Sequence, residues 1–386
     1  MATESDSEAF PDGGFQAWVV VFGVRKWGYI NSWGIFQVYY QEIVLPRSSE
    51  SEISWIGSVQ SCMIFLPGVF IGRLFDIGYF RLPFATGSIL IIVGTFLIPL
   101  CQLYWHFILC QGLIIGLGCG LTFGNSGVVI THWWRRRRGL AFGIAASGAA
   151  VGGTFFPLVM RKLLQDLGFP WTCRIIGFVL IVTLGIANLC LTRRLPPHNA
   201  DVGLFGLHVF RNTAFSVYCL SCFLTALGTF TVTTYISTSA LFAGLSETFA
   251  FYLVAILNGG SGLGGIVFGF YGDRLGAMNV LIQGITAVGI ITIAWPFCRT
   301  VASLSVIALL YGFASGAWIA LVLVPVAAMG GTEDLGRRLG VVNTVLGLGA
   351  LCGPPLGGLL TSTSIGYEPV GYFSGLDILR PPILGC

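Results

Sequence analysis

Nine stretches of this chain run for eighteen or more residues without a single Asp, Glu, Lys or Arg: 53–72, 82–134, 139–160, 175–192, 212–246, 248–272, 275–298, 300–332 and 339–367. A helix needs about 20 mostly apolar residues to cross a hydrocarbon core of roughly 30 Å. Each stretch is long enough, and 82–134 is long enough for two. A hairpin near Gln102–His106 divides it, because Gln, Tyr, Trp and His suit a membrane interface. The count is ten spans. An eleventh, 15–40, precedes them and is interrupted by Arg25 and Lys26.

Composition excludes the soluble alternative. Only 9% of the 386 residues are charged and the mean hydropathy is +0.85. A soluble fold with so few charges could not cover its surface. The fold class expected is an all-α polytopic membrane protein. The 11 cysteines are odd in number and scattered through apolar runs, which fits small core hydrophobes better than a disulfide scaffold. No Cys/His spacing suggests a metal, and no Walker-type loop suggests ATP as a driving force. No cofactor, metal or nucleic-acid partner is expected; the lipid bilayer is. The acidic N-terminus (Glu4, Asp6, Glu8, Asp12) does not read as a cleaved signal peptide.

Lys and Arg in the loops set the orientation. With an inside N-terminus, the inner loops hold Arg73, Arg81, Arg135 to Arg138, Arg193, Arg194, Arg211, Arg274, Arg337 and Arg338. The outer loops and margins hold Arg47, Arg161, Lys162, Arg174 and Arg299. The N-terminus is therefore expected in the cytosol. The polar stretch 193–212 carries Pro196 and Pro197 and separates two halves. The expected organisation is a tail over 1–14, a first bundle over 15–192, a cytosolic linker over 193–212 and a second bundle over 213–386. The last part of the second bundle, after Leu360, carries Glu368, Asp377, Arg380 and Pro381-Pro382. It reads as a truncated twelfth helix.

The halves repeat. Gly72-x-x-x-Asp76 recurs as Gly269-x-x-x-Asp273, 197 residues on. Gly139, Gly148 and Gly152 align with Gly340, Gly349 and Gly353 at an offset of 201. Two spacings near 200 predict two pseudo-symmetric six-helix bundles around a central cavity, with a substrate near the midplane. The glycine run ends in Gly353-Pro354-x-x-Gly357-Gly358. Small residues a turn apart let helices approach closely, and proline favours a kink. Gly148, Gly152, Gly349, Gly353 and Pro354 are thus candidate gating positions, with plain helix packing as the alternative for each.

These residues resemble a known family. Gly72-Arg73-Leu74-Phe75-Asp76 through Arg81, repeated at Gly269–Gly276, is similar to the loop motif of the major facilitator superfamily. Asp12-Gly13-Gly14-Phe15-Gln16-Ala17-Trp18 resembles the opening signature of its monocarboxylate-porter-like group, common in fungi. Trp133-Trp134 with Arg135 to Arg138, followed by Gly139 to Gly148, resembles that group's fifth-helix signature. The resemblance implies twelve helices, alternating access and a small organic substrate, often an anion moved with a proton. It departs in three places. Arg25 and Lys26 interrupt the first span, where they either bind an anionic substrate or mark a mis-spliced or deleted segment. Gly265 stands where many relatives carry an anion-binding Arg, which opens export of a specialised metabolite as the alternative to monocarboxylate transport. The twelfth helix is short.

Candidate residues follow. Asp76 and Asp273, at helix ends, can accept from helix N-termini and pair with Arg81 and Arg274, latching the halves in one state. Polar groups inside a membrane mark pathways by default. Asn31, Asn125, Asn258 and Asn343 are candidate substrate contacts, as are Arg25, Lys26, Tyr235 and Trp318; helix-to-helix bonding is the alternative for each amide. No Asp or Glu lies inside a span. Proton coupling would have to use a carboxylate such as Glu42, Glu52 or Asp76, or the substrate's own ionisation, and facilitated diffusion stays open. A competing class is an intramembrane serine protease, from Gly124-Asn125-Ser126-Gly127. It lacks a base: His106, His132, His198 and His208 all lie in or beside loops. A transporter-like sensor or non-functional relic is a third reading. The expectation is a monomeric secondary or facilitative transporter in the plasma membrane, with the vacuolar membrane as the other location.

Overall fold

The computed structural model describes residues 39–48 (with 12, 13, 18, 33 and 36), 50–191, 207–330, 335–361 and 366–383. Arg25, Lys26 and Asn31 lie outside the described residues, as does the linker up to 206. Among the described residues the secondary structure is helical, without strands. In order, the principal helices are α1 (Glu50–Phe65), α2 (Gly68–Ile77), α3 (Arg81–Leu97), α4 (Gly116–Trp133), α5 (Arg138–Cys190), α6 (Thr213–Phe242), α7 (Glu247–Leu275), α8 (Ala277–Ala294), α9 (Val301–Leu321), α10 (Leu335–Thr361) and α11 (Glu368–Ile383). Nine helices among the described residues are long and apolar enough to cross a membrane, counting α1 with α2 as Glu52–Ile77. One of the nine, α5, is 53 residues long and turns at Gly168, where φ is +74°. It therefore supplies two spans and brings the total to the ten read from the sequence.

Local chemistry explains the breaks. Pro67 has no amide hydrogen, and the chain leaves α1 there and restarts as α2 at Gly68. Gly78, at φ +112°, ends α2 in the left-handed conformation that favours glycine. After α3 a 3₁₀ turn (Ile98–Leu100) leads to an extended stretch, and His106 Nδ1 accepts from the N–H groups of Gln102 and Leu103 at 3.3 Å each. That is the hairpin expected near Gln102–His106. Asn212 and Ser246 cap α6 and α7 through their side-chain oxygens. The final helix, α11, has 16 residues, which spans about 24 Å at 1.5 Å per residue.

Contacts divide the chain into two units. The first comprises residues 1–135, 155–205 and 332–347. Its core is aromatic: Tyr40 is fully buried, tilted against Phe107 at 4.4 Å between ring centroids, and its hydroxyl donates to Gln111 Oε1. Phe36 and Phe169 complete the cluster. Along the end of α5, Phe178, Val182, Ile186 and Leu189 are all more than half exposed and one turn apart, an apolar stripe that fits a lipid-facing side.

The second unit comprises residues 136–154, 206–331 and 348–386. There α7 and α9 meet backbone to backbone. A Cβ on Gly260 would lie 2.6 Å from Leu309 O, and Gly264 and Gly312 are tighter still against Phe313 O and Leu257 O. Tyr311 donates to Thr229 O and Trp295 Nε1 to Ser239 Oγ, so the buried polar heads of these aromatics find partners.

Candidate functional site

Asp76 sits in the last turn of α2, one turn after Gly72. It is only 6% exposed. Its Oδ1 accepts from Gly336 N–H at 3.0 Å and its Oδ2 from Arg337 N–H at 2.9 Å, both in the first turn of α10. The first four amides of a helix have no partner inside it and carry the positive end of the helix dipole. The carboxylate meets both needs. Its reach depends on glycine. A Cβ on Gly336 would lie 2.6 Å from Gly72 O, and one on Gly72 would overlap Gly336 O. One turn further, Gly68 and Gly340 meet in the same way.

The second unit contains the same device. Asp273, in the last turn of α7, accepts from Gly139 N–H at 2.7 Å and Leu140 N–H at 2.8 Å, in the first turn of α5. Gly269 and Gly139 touch beneath it, and Gly265 and Gly143 one turn on. These contacts fix the register of the repeat. The pairs Asp76/Asp273, Gly72/Gly269, Gly68/Gly265, Gly139/Gly336 and Gly143/Gly340 all differ by 197. The offset of 201 read from Gly139, Gly148 and Gly152 is one helical turn too long. In the structural register Gly152 matches Gly349 and Pro157 matches Pro354.

The predicted arginine partners are both exposed. Arg81 is on the first turn of α3. Arg274 is exposed and lies over the Phe270 ring at 4.2 Å. In the bonds described, each carboxylate accepts two backbone amides, which a helix start offers aligned. Of the remaining gating candidates, Gly349 and Gly353 make close packing contacts. They lie against Phe223–Leu227 of α6, while Gly357 and Gly358 face Tyr235. Tyr235 Oη donates to Pro354 O at 2.8 Å. Gly148 is buried and Gly152 half-buried in α5.

Of the substrate candidates, Asn125 is fully buried; its Nδ2 donates to Leu121 O while its Oδ1 has no partner among the described residues. Asn343 is 3% exposed with an unpartnered Oδ1. Asn258 reaches Gly153 O at 3.4 Å. Trp318 packs edge-on to Phe230, its Nε1 unpartnered, beside a cavity of about 20 Å³ that Tyr218, Cys222 and Thr225 also line. That volume holds about one water and no organic substrate. Ser126 donates to Thr122 O in its own helix, and His132 stacks edge-on to Phe75; neither the bond nor the stacking activates a nucleophile.

One contact escaped the sequence reading. Asp12 accepts from Arg135 N–H at 2.6 Å, its own N–H donates to Trp133 O, and Trp18 lies 4.8 Å from Trp134. Asp12 and Trp18 of the first signature thus meet Trp133, Trp134 and Arg135 of the second, Arg135 lying 123 residues after Asp12.

Ten apolar spans among the described residues, with two carboxylate-closed helix contacts, define a polytopic membrane protein. The Major Facilitator Superfamily model matches residues 27–327 and 218–376, and the chain belongs to that family. It is similar to the MFS-type transporter dbaD of Emericella nidulans, 36% identical over 92% of this chain and 81% of that protein. It is similar to the aspyridones efflux protein apdF of the same organism, 33% identical over 98% of this chain and 79% of that one. The fujikurins efflux protein of Gibberella fujikuroi is 33% identical over 98% and 83%. The fold matches that of the human organic anion transporter MFSD10 with a TM-score of 0.77 at 14% identity, over 95% of this chain and 98% of that one. The protein is a multi-pass membrane transporter of a small organic compound.

Proposed function

We propose that the protein exports a specialised organic metabolite by alternating access. The observation that carries this reading is the likeness, over nearly the whole chain, to proteins named for efflux of aspyridones and of fujikurins. The glycine at 265 agrees with it: the position packs near Gly143 in a helix contact and offers no cation to an anionic substrate. Each carboxylate latch ties a helix of one half of the sequence to the start of a helix from the other half. Parting the halves breaks both latches, so Asp76 and Asp273 act as gates. Asn125, Asn258 and Asn343 contact the substrate's polar groups, with Tyr235 and Trp318 beside its apolar body. The N-terminus is cytosolic, the plasma membrane is the site of action and the monomer is the working form.

The test is flux in proteoliposomes loaded with labelled aspyridones or fujikurins or with labelled monocarboxylates, with and without a pH gradient. Movement of the larger metabolites supports the reading. Movement of monocarboxylates alone, or of no solute by well-folded protein, overturns it. Acceleration by the gradient assigns proton coupling.

A further inference from the structure

The two matched helix contacts differ at one place. In the first unit the partner of α10 is broken at Leu66-Pro67, between α1 and α2. A break of this kind strips backbone groups of their helical partners, since proline donates nothing and a helix end leaves carbonyls and amides unpaired. In a bilayer such groups must be satisfied by protein. Thr344, on α10, stands over the break. Its hydroxyl donates to Leu66 O at 3.0 Å and accepts from Val69 N–H at 3.3 Å, one group on each side of the proline. The approach is close because Gly347 faces Phe65 and Leu66, and Gly340 faces Gly68.

At an offset of 197 the counterparts are Ser147 for Thr344, and Leu263, Gly264 and Ile266 for Leu66, Pro67 and Val69. There α7 runs unbroken, and Ser147 donates to Ile144 O in its own helix. The bridge is therefore present in one half of the repeat alone.

We propose that Thr344 is a positioning residue for gating: its hydroxyl closes the Pro67 break when α10 is docked, and leaves it open when α10 withdraws. The inference rests on the gating reading of the Asp76 contact. It adds that the two latches are mechanically unequal. Opening the first costs two more hydrogen bonds and leaves a break in α1–α2 that can flex; opening the second leaves a straight helix.

The experiment is amide hydrogen exchange on the full chain in lipid nanodiscs, comparing wild type, Thr344→Val, Thr344→Ser and Ser147→Ala. Loss of one or two net hydrogen bonds accelerates exchange at Val69 about tenfold. Thr344→Val is expected to show that rise in the peptide covering 66–71, with residues 263–268 unchanged. Thr344→Ser keeps the hydroxyl and restores protection, which a change of packing alone would not do. Ser147→Ala leaves both peptides unchanged. Unaltered exchange at Val69 in Thr344→Val, or failure of Thr344→Ser to restore it, overturns the proposal. Flux measured on Asp76→Asn separates the two ideas: normal flux there removes the gating reading, while the exchange result judges the bridge itself.

Discussion

Replacing Asp76 by Asn tests whether the carboxylate is bound as the structure describes it. Asp76 accepts two amides, from Gly336 and Arg337, at 3.0 and 2.9 Å, and is buried. Hydrogen bonds to a charged group contribute about 1.5–3 kcal/mol each. Asparagine keeps one acceptor oxygen and turns an NH₂ toward the other amide, so one bond is lost. The favourable interaction of a negative charge with the helix start, up to about 2 kcal/mol in partly buried geometry, is lost too. The combined cost is about 2–4 kcal/mol, which accelerates exchange at the Gly336 and Arg337 amides by at least about 30-fold. Asp273→Asn should do the same at Gly139 and Leu140 by a smaller factor, since Asp273 is half-buried and better screened. The assay is site-resolved hydrogen exchange in nanodiscs, repeated at high salt. An exposed ion pair would contribute less than about 1 kcal/mol and fade with salt. A change under threefold, or one abolished by salt, would refute the reasoning.

Two further outcomes follow from the glycines. Gly72→Ala places a methyl against Gly336 O and should destabilise the protein by about 1–3 kcal/mol, whereas Gly259→Ala meets nothing within 4 Å in α7 and should stabilise it by a few tenths to about 1 kcal/mol; thermal unfolding in one detergent compares them. Gly168→Ala also meets nothing, yet φ there is +74°, so a loss of about 1–2 kcal/mol in the same assay would come from backbone strain alone.

The spans were legible because the bilayer imposes a crude filter: charge is excluded over twenty residues at a time, and Arg73, Arg81 or Arg274 mark where it ends. The carboxylates were legible as helix-end groups, since Gly72-x-x-x-Asp76 and its repeat stand in matched places. So was the kind of partner, a helix N-terminus, but not which one. A backbone amide donates from any residue except proline, so nothing in Gly336-Arg337 or Gly139-Leu140 marks them as the donors. The register failed for a related reason. With 54 glycines in the chain, a run one turn out of step still finds glycines to align. Only the contacts separate Gly139/Gly336 from Gly139/Gly340. Pro67 and Thr344 are both plain in the sequence, but 277 residues part them and no periodicity joins them.

The spacing of glycine and aspartate carries its own consequence. Gly72 and Asp76 are one turn apart and face the same helix start, as Gly269 and Asp273 do. Backbones that touch at the glycine leave room above it for a side chain whose accepting oxygens lie three bonds from Cα, which is aspartate's reach. Glutamate keeps the charge and adds a methylene of about 1.5 Å, in a place where a Cβ on Gly336 would already lie 2.9 Å from Asp76 Cγ. Asp76→Glu must therefore bend out of a favoured rotamer or push α10 away from α2. Exchange at Gly336 and Arg337 should rise nearly as far in Asp76→Glu as in Asp76→Asn, with flux falling in both. If glutamate instead restored wild-type protection, charge alone would hold the helix start, and the touching glycines would be packing without a part in the latch.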